Sequence, residues 1–185
     1  MISHRYLCDR TSTSIYTRRS LLVWQAGWIV TINYRVAAIA DLTILLELVQ
    51  EFHQHEHLSF DQKSDGDALT NFLADQSLGQ VWLIQQDSAV IGYLILTFGY
   101  SLEFRGRDAF IDEFYLRPQY RQQGVGIKSL AFAENACRVL GVQALHLEVD
   151  FNNPDAQRLY SRVGYQRHQR FLMTKQLDNH FSEPE

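Results

Sequence analysis

The chain has 185 residues, of which 46% are hydrophobic, and a formal net charge of −4. That length suits one domain with a sizeable core, and that charge excludes a general nucleic-acid binder, which carries a basic face. Two cysteines, Cys8 and Cys137, make no disulfide framework. Cys137 falls in a helical pattern as a small apolar residue, which fits a reducing, cytoplasmic setting.

Residues 1–30 read as a poorly ordered N-terminal extension. Arg18 and Arg19 precede an apolar run, Leu21 to Val30, that falls short of the about 20 residues a bilayer span needs. No membrane partner is expected. The same order of basic then apolar residues resembles a secretory signal, with a cleavage-like "AIA" at Ala38 to Ala40. Cleavage there would remove the first strand of the domain. The plainer readings are an extension, or sequence upstream of a true start near Val30.

Residues 31–178 carry the domain pattern, and 179–185 form a tail. "TINYRVA" alternates and predicts a strand. Asp41 is an N-cap for an apolar helix over Leu42 to Phe52. "HQHEHLSFDQKSDGD" reads as a polar loop. Its His53, His55, His57 and Glu56 have no cysteines to match, so no metal is expected. A second helix is predicted near Ala68 to Leu78, stopped by Gly79. "QVWLIQQ" and "AVIGYLILTFGY" predict a hairpin around Asp87 and Ser88. After the connection "SLEFRGRD", "AFIDEFYL" is the next strand. A helix runs from about Gly124 to Leu140 and ends at Gly141. "ALHLEV" alternates again. Asn153 and Pro154 are the N-cap and first residue of a helix closed by Gly164, and "HQRFLMTKQL" predicts a last strand. The fold class is mixed α and β, with a mostly antiparallel sheet flanked by helices.

The stretch "YRQQGVGIKSL" holds two glycines at the mouth of a helix, where each costs about 1 kcal/mol against alanine. A strand ending at Leu116, a turn through Arg121, Gln122, Gln123, Gly124, Val125 and Gly126, then a helix, aims free backbone N–H groups at one point. The helix start adds roughly half a positive charge. Glycines admit a phosphate, and Arg121 adds a charge. A turn that merely needs positive φ at glycine uses the same residues.

Two blocks in order settle which pattern this resembles. "FIDEFYLRPQYRQQGVGIKSL" carries R/Q-x-x-G-x-G/A at Arg121, Gly124 and Gly126. "LEVDFNNPDAQRLYSRVGY" carries N-x-x-A-x-x-L-Y-x-x-x-G-[FY] from Asn153 through Tyr160 to Tyr165. Together they resemble the GCN5-related N-acetyltransferases, over about Thr31 to Leu177. The resemblance implies the family's fold, with strands splayed at the acetyl-CoA site, and acetyl-CoA as donor. It implies a pyrophosphate on the Arg121 to Gly126 turn and pantetheine along Phe114, Tyr115 and Leu116, with Asn153 and Tyr160 also at the cofactor.

An ammonium has no free lone pair, so transfer needs a base, and the departing thiolate benefits from an acid. Tyr160 occupies the family's acid position, although its place in an apolar stripe also suits plain packing. Asp112 and Glu113 are the candidate bases, and strand alternation sends them to opposite faces, so at most one faces the acceptor directly unless a bulge intervenes. Phe110 stands where histone-acetylating members keep their base. An acidic pair resembles the polyamine and thialysine branch, which implies a small cationic amine as acceptor. Glu56, Tyr100 and Glu103 are the candidate acceptor-binding residues. A protein amine, and a non-catalytic acyl-CoA-binding module, stay open as alternatives. A homodimer is expected.

Overall fold

The computed structural model describes residues 31–175 and 177. The extension and most of the tail lie outside the described residues. The strands are β1 (Ile32–Val36), β2 (Gly79–Gln86), β3 (Ala89–Ser101), β4 (Gly106–Leu116) and β5 (Ala144–Leu147). The helices are α1 (Leu42–Glu56), α2 (Gln62–Ala74), α3 (Val125–Val139) and α4 (Pro154–Arg162). The strands form one sheet in chain order. β1 to β4 pair antiparallel, and β5 joins β4 in parallel. This is the mostly antiparallel mixed sheet that the sequence predicts.

β2 and β3 are near-continuous apolar runs because both faces of the sheet are covered. On one face α1 and α2 set Leu45, Leu48, Val49 and Leu69 against Leu83, Tyr93, Ile95 and Tyr115. On the other, α3 sets Leu130, Ala133 and Cys137 against Trp82, Leu94, Leu96 and Ile111, and Leu159 and Tyr160 of α4 join that cluster. Each fully buried leucine contributes about 2 kcal/mol of transfer free energy.

Three elements differ from the sequence reading. α2 begins six residues before Ala68, because Asp61 caps it: its Oδ1 accepts from the Ser64 N–H at 2.8 Å, and Asp65 Oδ2 accepts from the Asp61 N–H at 2.7 Å. That reciprocal cap stabilises a polar first turn that apolar periodicity cannot reveal. α2 stops at Ala74, and Gly79 opens β2 instead of closing a helix. A Cβ there would sit 1.9 Å from the Leu96 carbonyl oxygen, so only glycine fits the strand crossing. α1 runs on to Glu56, which puts His53, His55 and Glu56 on a helix, and His57 at φ 57° ends it. The predicted strand over 168–177 is not a strand among the described residues: the sheet ends at β5, and Phe171, Leu172 and Met173 are exposed. Strand propensity without a ladder partner does not make a strand.

Candidate active site

β4 pairs with β5 only over Asp108 to Ile111. Beyond Ile111, β4 continues to Leu116 bonded to β3 alone. The two parallel strands therefore part, and the outer edge of Asp112 to Tyr115 presents backbone groups without a strand partner, a ready template for an extended ligand, while the Leu116 carbonyl accepts from Arg121.

The parting coincides with a break in register. Ile95 faces Glu113 and Leu96 faces Ile111, so Asp112 is an extra residue in β4, a β-bulge. Its effect is visible on both sides. Ala109 and Ile111 belong to the core under α3, whereas Tyr115 belongs to the core under α1. Strict alternation would have kept all three on one face. The bulge is the exception under which strand alternation no longer sends Asp112 and Glu113 to opposite faces, and Glu113 bonds Tyr93 and His53 on the α1 face.

The two carboxylates have different surroundings. Glu113 Oε2 accepts from the Tyr93 hydroxyl at 2.6 Å, and Oε1 lies 3.3 Å from His53 Nε2. Burial raises the Glu113 pKa, and those two partners oppose the rise. Burial also raises the Asp112 pKa, with no hydrogen bond to offset it. Asp112 keeps solvent access at the open edge, yet protein on its other sides disfavours its charge. His53 was missed as a site residue by sequence reasoning. Its placement on α1, one turn before the helix end, is a tertiary fact without a local signature.

After β4, a short 3-10 turn over Pro118 to Tyr120 leads into left-handed backbone at Gln122 (φ 59°) and Gly124 (φ 78°). α3 then starts at Val125, so the N–H groups of Val125, Gly126 and Ile127 have no partner inside the helix. The two glycines serve different ends. A Cβ at Gly124 would meet nothing, so its reason is the left-handed φ and open space above the helix start. A Cβ at Gly126 would lie 3.4 Å from Leu159, so its reason includes the close approach of α4.

Arg121 turns back from the helix start. Its Nε donates to the Leu116 carbonyl at 2.7 Å, and its Nη1 donates to His55 Nε2 at 2.8 Å. Tyr115 and Arg117 both bond Glu51 of α1, so the Tyr115 side chain is structural and only its backbone is free at the open edge. Gln122 and Gln123 are exposed, with the Gln123 amide donating to the Gln119 carbonyl at 2.8 Å. Phe114 packs beneath, between the cores on the α3 side.

Asn153 caps α4, its Oδ1 accepting from the Ala156 N–H at 3.0 Å. α4 presents Tyr160, whose ring packs edge-on to Tyr165 at 5.8 Å. Burial and the charge of Glu56 both raise the Tyr160 pKa, so its proton stays on near neutrality. Glu56, at the end of α1, is thus within electrostatic reach of Tyr160. Tyr100 and Glu103 do not come with it. Tyr100 is paired with Arg107, five residues before Asp112 and roughly 16 Å along the strand. Glu103 is engaged by Arg170 at 3.2 Å, which lowers its pKa. Among the described residues no group of three or more His, Cys, Asp or Glu side chains converges to hold a metal, and no helix is long and apolar enough to cross a membrane.

Acetyl-CoA fits this architecture on two counts: an open strand edge for an amide-bearing arm, and a helix start with free N–H groups for a pyrophosphate. The sequence pattern of the acetyltransferase (GNAT) family matches residues 43–165. The chain is 28% identical over 141 residues to thialysine N-epsilon-acetyltransferase of Bos taurus, covering 71% of this chain and 82% of that one. An integron cassette protein from a salt-marsh metagenome superposes with a TM-score of 0.70 at 33% identity, covering 78% of this chain and 90% of that chain. A predicted acetyltransferase with acetyl-CoA from Clostridium acetobutylicum superposes with a TM-score of 0.67 at 20% identity, covering 81% of this chain and 99% of the other. The resemblance carried by the two motif blocks is borne out: the chain belongs to the acetyltransferase (GNAT) family and is an acetyl-CoA-dependent acyltransferase.

Proposed function

We propose that this enzyme acetylates a primary amine on a small cationic molecule, with Asp112 as base and Tyr160 as acid. One observation carries the reading. The bulge leaves Asp112 as a carboxylate without a hydrogen-bonding side-chain partner at the head of the open β4 edge, while Glu113 is tied to Tyr93 and His53. A carboxylate with its pKa raised by burial is a better base than an ordinary one, since the proton it takes is held more firmly.

Acetyl-CoA supplies the electrophilic thioester carbon. The backbone edge of Phe114 to Leu116 holds its pantetheine, and the N–H groups from Gln122 to Gly126 hold its pyrophosphate, with Asn153 fixing the start of α4 nearby. Arg121 supports that turn by anchoring it to β4 and α1. Asp112 attracts the ammonium and removes one proton, freeing the nitrogen lone pair for attack. Tyr160 holds a proton at Oη for the departing sulfur. The amine nitrogen gives up two protons in all, one ending on sulfur and one in solvent. Glu56 adds negative charge near Tyr160 that favours a cationic acceptor. The similarity to thialysine N-epsilon-acetyltransferase supports an acceptor of this class. Tyr100 and Glu103 belong to the acceptor site only if the β3–β4 connection moves toward the bulge. The exposed apolar residues Phe171, Leu172 and Met173, together with a sheet whose described strands end at β5, support a homodimer.

The test is a screen of diamines, lysine analogues, aminoglycosides and lysine peptides by CoA release, followed by pH–rate profiles of Asp112→Asn and Glu113→Gln. Asp112→Asn is expected to lose roughly 10²–10⁴-fold at neutral pH and to recover partly at high pH, where the amine is already neutral. A wild-type profile for Asp112→Asn with a dead Glu113→Gln would move the base to Glu113. Faster turnover of peptides than of any small amine would replace the acceptor class by a protein amine.

A further inference from the structure

The His53 ring is oriented from both ends. α1 ends just after it: the Leu58 N–H returns to the His53 carbonyl at 2.8 Å, and His57 turns the chain left-handed. The returning chain brings the Ser59 carbonyl to 2.9 Å from His53 Nδ1. A carbonyl only accepts, so Nδ1 carries a hydrogen. Phe60 packs edge-on against the ring at 6.1 Å. The other nitrogen, Nε2, is then left facing Glu113 Oε1 at 3.3 Å. A bare Nε2 against a bare carboxylate would be two lone pairs face to face in a pocket where both side chains are less than one-fifth exposed. A proton between them removes that repulsion.

We propose that His53 is a positioning residue that holds one proton against Glu113, making the pair neutral, so that of the two neighbouring β4 carboxylates only Asp112 presents a net negative charge to the acceptor amine. This rests on the reading of Asp112 as base. The groups facing Glu113 are Tyr93 from β3, His53 from α1 and Asp112 from its own strand. Tyr93 is fully buried and keeps its hydroxyl proton, so it fixes Oε2 without changing the charge. The variable charge on Glu113 therefore belongs to the His53 contact. Without the shared proton, Glu113 becomes a second negative charge beside Asp112, and like charges disfavour ionisation of either.

Nitrogen-15 spectra of the histidine rings in the full-length protein at pH 7 test the proton directly. The expected result is a His53 ring with Nδ1 protonated and a downfield bridging proton at Nε2, which Glu113→Gln abolishes. A bare Nε2 with no bridging proton in the wild type overturns the proposal. The second arm is kinetic. In His53→Gln, which keeps a donor near Nε2 but cannot carry the extra proton, kcat is expected to fall roughly tenfold, less than for loss of the base itself. The acid limb of its pH–rate profile should move to higher pH, with acetyl-CoA affinity unchanged. The limb of Glu113→Gln should stay near that of the wild type, since the pair is already neutral, and the double variant should behave as Glu113→Gln alone, since His53 acts through Glu113. Additive losses in the double variant overturn the positioning role. A failure to acetylate any amine would overturn the acceptor and base assignments and leave the ring spectrum as the separate measure of the shared proton.

Discussion

The two halves of β4 differ in one respect that decides their use. Asp108 to Ile111 are laddered on both sides, to β3 and to β5. Asp112 to Leu116 are laddered on one side only. In the first half the backbone is fully spent on the fold, and Ala109 and Ile111 are buried core. In the second, a register break and an open edge free both backbone and side-chain groups for a ligand. A single inserted residue at the junction separates a structural strand from a chemical one.

The contrast predicts that damage to the closed half costs stability, while damage to the open half and its neighbours costs chemistry. Ile111→Ala, at a residue only 5% exposed, should destabilise the protein by about 2–5 kcal/mol in denaturant melts. At temperatures where the variant stays folded, its Michaelis constant for acetyl-CoA should stay near normal. If it instead loses cofactor affinity while stable, the closed half is part of the site.

Gly124→Glu should raise the acetyl-CoA Kd roughly 10²-fold by calorimetry, about the value of one or two charge-assisted bonds to phosphate. The position has φ 78°, so any side chain there carries backbone strain of about 1–2 kcal/mol. Gly124→Ala shares the strain without the charge and serves as the control. Equal affinities in the two variants would mean that strain alone explains the loss.

Tyr160→Phe should keep the melting temperature within a degree or two and lower turnover roughly 10²-fold, the low end for loss of an acid. Its ring lies in the α3-side core, and phenylalanine fills the same space. Wild-type turnover would reduce Tyr160 to packing.

The smallest expected effect is on stability, and its sign separates Asp112 from the structural acids. Burial places the Asp112 pKa above its unfolded value. Its contribution to stability is therefore full at low pH and is lost as the pH rises through the folded value. At neutral pH the charged carboxylate weighs against folding, so Asp112→Asn should melt slightly higher than wild type. Below the carboxyl range the two should melt alike. A lower melting temperature for Asp112→Asn at neutral pH would show that the carboxylate has a stabilising partner.

The sequence by itself determined a helix start near Gly124, the cap at Asn153 and the strands of the sheet. Each is encoded within a few residues: a left-handed glycine, an asparagine before proline, a run of apolar β-formers. The two motif blocks likewise carried the family, because a backbone site for phosphate needs glycines at fixed spacing. Local signals also misled where the reason for a residue lay elsewhere in the chain. Gly79 reads as a helix stop but is glycine because the Leu96 carbonyl crosses it. The contacts of Arg121 with Leu116 and His55 likewise have no local signal. The parity of Asp112 and Glu113 depends on an insertion in the β3–β4 register, which exists only once β3 lies alongside. His53 meets Glu113 across sixty positions of chain. Only tertiary structure decides such pairings, because the energy that fixes them comes from packing α1 on the sheet and not from the residues on either side.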